Sequence, residues 1–544
     1  MIRRLCAAAL VAVFSAAPAF ADGPAAAVSA APAIAAPPPA TSQAPAASPA
    51  PAASPAPAAT PAPAAEKAAT DSPAAAPVAP EPAIKVTGPG GKTFSFTAGL
   101  LGTPTILLPD AAVSGVVVLF SDKDGWTHDE ADLAEQMRKI GAVVIGVDSN
   151  ALFAGLEKDG DDECVYLVAD IEDLSHQIQR ALGTPNYSSP IIAGVGTAGA
   201  LTLAIAAQTP DATFGHSVAV DPTLVLPLKK PLCTDAPRKD VADGSIYGLA
   251  DGDLTNPVDV LFTEAAPKDG RDHVSQMQAQ GFQIKTKDVS ENAFSALKSR
   301  LARLLAPKSE AENPLADLPL IELPANVRHG TMAIIFSGDG GWRDLDKSIG
   351  DTFQKEGVPT IGVDSLRYFW SKKTPAQTAV DLARIIDYYT EKWGIDHVIL
   401  VGYSFGADVL PAAFRMLPPD EQSQVAMISL LGLADQVDYV ISVGAFLGTS
   451  AGDGPTLPDI KQIKAALIQC FYGEEEDDSL CPKLEGTGIE LIKTTGGHHF
   501  DGDYEGLAHR ILDGLNRRLA GASAPLAATP APAATPPAPA VKTP

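Results

Sequence analysis

Short runs of β-branched and aliphatic residues recur along this chain, and between them lie longer stretches whose apolar positions follow a helical period. In the second half the apolar runs fall near 331–336, 358–363, 397–402, 426–430, 466–472 and 488–493. The amphipathic stretches fall near 344–356, 375–393, 405–416 and 503–519. Runs apolar at consecutive positions predict strands buried on both faces, and their alternation with helices predicts parallel strands joined by right-handed crossovers. The expected class is α/β, with helices covering both faces of the sheet.

The pattern occurs twice. Val116 to Ser121 precedes Gly125-Trp126 as Ala333 to Ser337 precedes Gly341-Trp342, and Ile145-Gly146-Val147-Asp148-Ser149 recurs as Ile361-Gly362-Val363-Asp364-Ser365. Ser337, Trp342 and Asp364 each stand 216 positions after Ser121, Trp126 and Asp148. Three collinear matches at one offset indicate a tandem duplication. Length agrees, because the span 84–520 is too long for one ordinary core. The expected domains are 84–305 and 326–520, joined by a linker at 306–325 rich in Pro, Ala and Glu. Residues 22–83 and 521–544 are dominated by Ala and Pro; such segments bury too little apolar surface to offset their ordering entropy, so disordered arms are expected.

The first 21 residues read as a cleaved secretory signal. Arg3 and Arg4 precede the apolar stretch Leu5 to Ala17, and Ala19-Phe20-Ala21 forms a small-residue cleavage site. An exported, soluble protein is expected. Cys6 leaves with the signal, and Cys164, Cys233, Cys470 and Cys481 remain, an even number for an oxidising compartment. Cys470 and Cys481 are near enough in sequence to clip one loop, which leaves Cys164 to pair with Cys233. No cysteine has metal-ligand spacing, so neither a metal nor a cofactor is expected. With 65 acidic against 40 basic residues the formal net charge is −25, which argues against nucleic acid as a partner and favours a cationic ligand.

Candidate chemistry lies in the second half. The apolar run His397 to Val401 leads into Gly402-Tyr403-Ser404-Phe405-Gly406, the form of a nucleophile elbow, where a tight strand-to-helix turn lifts a serine hydroxyl above a parallel sheet. Ser404 is therefore the expected nucleophile. Its base and orienting acid are expected later, in that fold's order of serine, acid, histidine. The strand ending at Tyr472 runs into Glu474-Glu475-Glu476-Asp477-Asp478. Asp478 is the preferred acid, because Leu480-Cys481-Pro482 follows at a natural loop distance, with Glu476 and Asp477 left open. After the next strand, Gly496-Gly497-His498-His499 supplies the base; His498 is preferred because it follows the glycines directly, with His499 close behind. The oxyanion hole needs two amides, expected from Phe405 and from Gly338 or Asp339 in the loop Ser337-Gly338-Asp339-Gly340-Gly341-Trp342. That loop lacks a following Gly-Lys-Ser/Thr and so does not read as a phosphate cradle. Trp342, with Tyr368, Phe369 and Trp370, is a candidate lining for a substrate groove, while Asp339, Asp501 and Asp503 favour a cationic substrate group.

The first half reads Gly194-Val195-Gly196-Thr197-Ala198-Gly199 at the elbow and Asp288-Val289-Ser290-Glu291-Asn292 where the second has histidines. Thr197 stands there as an alternative nucleophile. The fold expectation thus becomes two tandem α/β-hydrolase-like domains, the first degenerate and serving in binding or structure.

The elbow, the Ser337-to-Trp342 loop, Gly362-Val363-Asp364-Ser365 and Gly497-His498-His499-Phe500-Asp501-Gly502-Asp503-Tyr504 together resemble the AcvB/VirJ proteins of α-proteobacteria. The duplicated layout is similar to the longer AcvB type. The resemblance implies a periplasmic α/β-hydrolase that cleaves lysyl-phosphatidylglycerol, an aminoacylated phospholipid at the membrane surface, to lysine and phosphatidylglycerol. It also implies an association with virulence and with type IV secretion components. Ser404 would be the nucleophile, His498 or His499 the base and Asp478 the acid. Two rival expectations stand beside it: a general exported esterase or lipase, and a periplasmic adaptor for secretion components.

Overall fold

The computed structural model describes residues 83–158, 163–306, 314–327, 330–441 and 452–523. The expected signal segment and most of the two arms and of residues 306–313 lie outside the described residues. Among the described residues, no helix is long and apolar enough to cross a membrane.

Each half builds one seven-stranded sheet. In the first, β1 (Thr105–Leu107), β2 (Gly115–Phe120), β3 (Ala142–Val147), β4 (Ile191–Val195), β5 (His216–Val220), β6 (Val258–Phe262) and β7 (Lys285–Asp288) take the order β7-β6-β5-β4-β2-β3-β1. In the second, β8 (Leu320–Leu323), β9 (Thr331–Phe336), β10 (Thr360–Val363), β11 (His397–Tyr403), β12 (Val425–Leu431), β13 (Ile468–Gly473) and β14 (Glu490–Thr494) take the order β14-β13-β12-β11-β9-β10-β8. The two orders are the same. In both sheets the first strand lies antiparallel at one edge, and the other strands pair in parallel. The helices that bear on the site are α1 (Leu167–Leu182), α2 (Thr197–Ala206), α3 (Pro375–Trp393), α4 (Phe405–Met416) and α5 (Tyr504–Ser523).

Local signals explain these elements. All six positions of β2 and of β9 are buried, as their unbroken apolar runs require. Helix α3 begins at a capping box, Thr374 with Gln377, followed by Pro375, and ends at Gly394 in the left-handed region. The expectation for 306–325 needs one correction: Leu320 to Leu323 is not linker but edge strand β8. Leu320 packs toward one apolar cluster, Ile321 and Leu323 toward the other. Flanking prolines gave that stretch a linker's composition while its alternation carried a short strand.

The duplication extends to single hydrogen bonds. Ser121 N–H donates to Val147 O (3.0 Å) and Ser337 N–H to Val363 O (3.1 Å). The Ser121 hydroxyl accepts from Ser149 N–H, and the Ser337 hydroxyl from Ser365 N–H, both at 2.9 Å. Trp126 lies against Gly146 and Trp342 against Gly362, each at a place where a side chain would collide with the indole. The cysteines pair as 164 with 233 and 470 with 481. Each bridge limits the unfolded ensemble, an effect typically worth about 2–4 kcal/mol.

The halves meet through α1. The Arg180 guanidinium lies 3.4 Å from the centre of the Trp370 ring and donates to the carbonyls of Trp370 and Ile441. Tyr187 of the first half is buried in the main apolar cluster of the second, its ring 4.9 Å from that of Trp370. Glu172 pairs with Arg343, and Arg367 donates to the Ser189 hydroxyl at 2.7 Å.

Candidate active site

Strand β11 ends at Tyr403 and helix α4 begins at Phe405, so the whole turn falls on Ser404, at φ 51° and ψ −118°. A non-glycine residue adopts that conformation only where its surroundings over-determine it. Here they do. Ser404 N–H donates to Leu431 O (2.8 Å), and its carbonyl accepts from Ala407 N–H (2.8 Å) and Asp408 N–H (3.1 Å). Gly406 is required because any side chain there would run into the Phe336 and Ser337 carbonyls. The result is a half-buried serine at the carboxyl end of a parallel strand and the positive end of a helix.

Ser404 and His498 are set by the same turn. Leu431 holds the Ser404 amide, and a side chain at the next residue, Gly432, would strike the His498 ring and the Glu476 carboxylate. His498 Nδ1 lies 2.5 Å from Glu476 Oε1. Only 4% of the Glu476 side chain is exposed, and its other oxygen accepts from Gly473 N–H at 3.2 Å. The Glu476 contact pushes the His498 imidazole above its ordinary value, against the opposing effect of burial.

The acid at the histidine is thus Glu476, not the preferred Asp478. Asp477 and Asp478 are exposed, and Asp478 acts on His498 only as a neighbouring charge. The physical reason is the turn after β13. Glu476 N–H returns to Gly473 O (3.2 Å), and a side chain at Gly473 would collide with the Gly496 and Gly497 carbonyls, so the acid loop and the histidine loop touch backbone to backbone there. The disulfide at Cys481 then draws the chain back toward Cys470 on β13. Of the two histidines, His499 is exposed, its Nδ1 3.2 Å from the Tyr403 hydroxyl.

Two loops supply amides near Ser404. Phe405 opens α4, and Gly338 lies beside the elbow, its position bounded by Tyr403 and Ser404. The Gly338 N–H is directed to Asp346 Oδ2 at 3.4 Å, and burial holds that carboxyl well above the usual range. Asp339 is also pushed up by burial, against the opposing effect of the nearby Asp339 and Gly340 amides.

The remaining predicted residues divide. Trp342 does not line a groove: it is 4% exposed and packs in the core with Leu345, Ile349 and Phe353, where its indole fills the space over Gly362. Asp503 accepts from Gly506 N–H at 3.0 Å, which makes it the cap of α5, and the Asp501 carboxylate lies against Gly496 inside the histidine turn. Phe369 and Trp370 are buried, and Phe369 packs edge-on against Phe405 at 5.0 Å. Tyr403, whose ring centre lies 5.3 Å from that of His498, was not predicted, because the variable position of the elbow motif carries no signal. Asp346, on the helix Asp344–Lys355, was not predicted either, because no motif marks it.

In the first half the elbow geometry persists without its chemistry. Gly196, at φ 61° and ψ −119°, occupies the place of Ser404, and its N–H donates to Val220 O (2.9 Å) as that of Ser404 does to Leu431. Thr197 stands one residue past the turn, at the place of Phe405, and is buried. Asp122, the counterpart of Gly338, places its carboxylate where a side chain at 196 would be and accepts from Thr197 N–H at 2.8 Å.

Comparison with known proteins gives the following. Among solved structures the chain is similar to a proline iminopeptidase of Mycobacterium smegmatis, with 11% identity over 37% of this chain and 95% of the other and a TM-score of 0.27. It is similar to Est1E of Butyrivibrio proteoclasticus, with 13% identity over 37% and 93% of the two chains and a TM-score of 0.27. A thermophilic esterase of Thermogutta terrifontis gives 14% identity over 37% and 93%, with a TM-score of 0.29. No curated protein matches the chain by sequence. Residues 330–519, which carry Ser404, Glu476 and His498, match the model of the family described as Bacterial virulence protein (VirJ).

Proposed function

We propose that the second domain is a serine hydrolase of carboxylic esters and that its substrate is the aminoacyl ester of lysyl-phosphatidylglycerol, cleaved in the periplasm. The observation that carries this reading is the pairing of His498 with a buried Glu476 beside a serine held at an elbow. Glu476 fixes His498 Nδ1–H and favours the imidazolium, which leaves Nε2 to take the Ser404 proton. Ser404 Oγ attacks the ester carbonyl, and the negative charge that forms on its oxygen falls to the Phe405 amide and the Asp339 amide. The tetrahedral intermediate expels the glycerol hydroxyl of phosphatidylglycerol, which takes the proton back from His498. Water, activated by the same imidazole, then hydrolyses the lysyl-serine ester and frees lysine. The acidic chain suits a cationic acyl group, and the two disulfides suit an oxidising compartment.

The test is lysine release from vesicles containing lysyl-phosphatidylglycerol, by the protein and by Ser404→Ala. The expected result is release that falls at least about 10⁴-fold in the variant. Release from simple acyl esters but not from the lipid makes the protein a general esterase or lipase. No release of any acyl group by the folded protein favours the adaptor for secretion components.

A further inference from the structure

The helix that follows the Gly-Val-Asp-Ser turn differs between the halves. In the first it runs from Ser149 to Leu156; in the second it stops after one turn, Ser365 to Tyr368. Stopping early leaves the carbonyls at and beyond its end without partners inside a helix. They find them elsewhere. Phe369 O accepts from Ile441 N–H at 2.9 Å, and Lys373 N–H donates to Tyr439 O at 3.0 Å. The stretch 369–373 is thereby stitched to the far end of the loop 432–441. Trp370 O and Ile441 O then accept from the two ends of one guanidinium, that of Arg180 in the last turn of α1.

Both stretches follow the carboxyl ends of strands, β10 and β12, where α/β sites are built. The loop 432–441 starts at the proposed catalytic residues: Leu431 holds the Ser404 amide, and Gly432 abuts His498. The other stretch carries Phe369, whose ring lies edge-on at 5.0 Å from that of Phe405, the residue that supplies one proposed oxyanion donor. Trp370 and Ile441 are 3% and 2% exposed, which leaves their carbonyls dependent on protein donors. A guanidinium offers N–H groups in a fixed planar fork, and the Trp370 ring 3.4 Å away sets the orientation of that plane. The compact ammonium of a lysine has no such fork.

We infer that Arg180 is a positioning residue for the active site of the second half, so that the degenerate half completes a site whose chemistry it has lost. The inference rests on the ester-hydrolase reading above and gives the first domain a task within it. Arg180 acts through the two stretches that it joins. With Trp370 O and Ile441 O held by one group, Phe369 is fixed against Phe405, and the loop that leads away from Gly432 and His498 is fixed at its far end.

The test compares the full chain with Arg180→Ala and Arg180→Lys by two readouts. One is amide hydrogen exchange over 366–373 and 433–441, which needs no activity. The other is the rate at which diisopropyl fluorophosphate phosphorylates Ser404, which needs the nucleophile and the oxyanion donors but not the natural acyl group. In both variants exchange over the two stretches is expected to rise at least about tenfold while β11 keeps its protection. Phosphorylation is expected to slow at least about tenfold, and millimolar guanidinium to return most of the lost rate to Arg180→Ala but methylammonium none of it. Unchanged exchange over both stretches, or phosphorylation within about threefold of wild type in both variants, overturns the inference. So does a slowing that guanidinium does not reverse and that comes with lost protection in β11, the mark of a general loss of stability. A wild type whose Ser404 resists phosphorylation sinks the hydrolase reading alone; exchange that still rises in the variants then leaves Arg180 as the group that holds the two stretches together.

Discussion

The two halves share a sheet order, a capped Gly-Val-Asp-Ser turn, a tryptophan over a glycine and an elbow with the same backbone angles, yet the region above each elbow is built differently. In the second half Gly338 leaves space beside Ser404. In the first, Asp122 at the matching position fills that space and satisfies the Thr197 amide with its own carboxylate. Loss of the serine is therefore accompanied by a plug: the amide that could receive a negative charge already receives one. A buried helix-start N–H needs an acceptor, and when substrate no longer supplies it a carboxylate from the next loop is a stable substitute.

That comparison can be broken in order of expected effect. Glu476→Gln removes the charge that holds His498 and is expected to lower kcat on the order of 10³–10⁴-fold. It also moves the pH profile. Glu476 favours the imidazolium, so the acidic limb of activity lies above the ordinary imidazole value near 6.5 in the wild type and shifts to lower pH in the variant. A pH–rate profile that keeps its acidic limb in place would show that Glu476 does not orient the base.

Gly338→Asp writes the first half's plug into the second. Its carboxylate is expected to take the Phe405 amide and reduce kcat about 10²–10³-fold, the effect of losing one oxyanion donor. The fold is expected to persist, since Asp122 is accommodated in the same turn; kcat and the melting temperature together check this. The smallest effect is expected from the reverse exchange. Asp122→Gly with Gly196→Ser, placed in the Ser404→Ala background, restores a serine and an open amide but no histidine. Ester hydrolysis should stay at the Ser404→Ala level, and any gain would show that the first half retains a base.

The fold was legible to a high degree. Strands of the second sheet begin and end within two residues of the apolar runs that predict them, because a strand buried on both faces admits little else. The exception is β8, four residues between prolines, too short for periodicity to stand out. Disulfide pairing was also legible from spacing, since only one arrangement keeps each bridge within its half. Side-chain roles were less so. Five consecutive acids look alike in sequence, and Glu476 is set apart only by a turn that carries it under the histidine loop. Trp342 reads equally as groove or core until Gly362 is seen beneath it.

The sequence by itself determined the elements, the duplication and the serine of the elbow, because each rests on neighbours along the chain: an apolar run, a cap, glycines where a turn crowds backbone against backbone. Only the tertiary structure decided which acid meets the histidine, which aspartate closes the first half's elbow and that residues of both halves line shared cavities. Those outcomes join residues far apart in the chain, such as Asp122 with Thr197 and α1 with Asp339. They depend on side-chain reach and packing between elements, which no local pattern encodes.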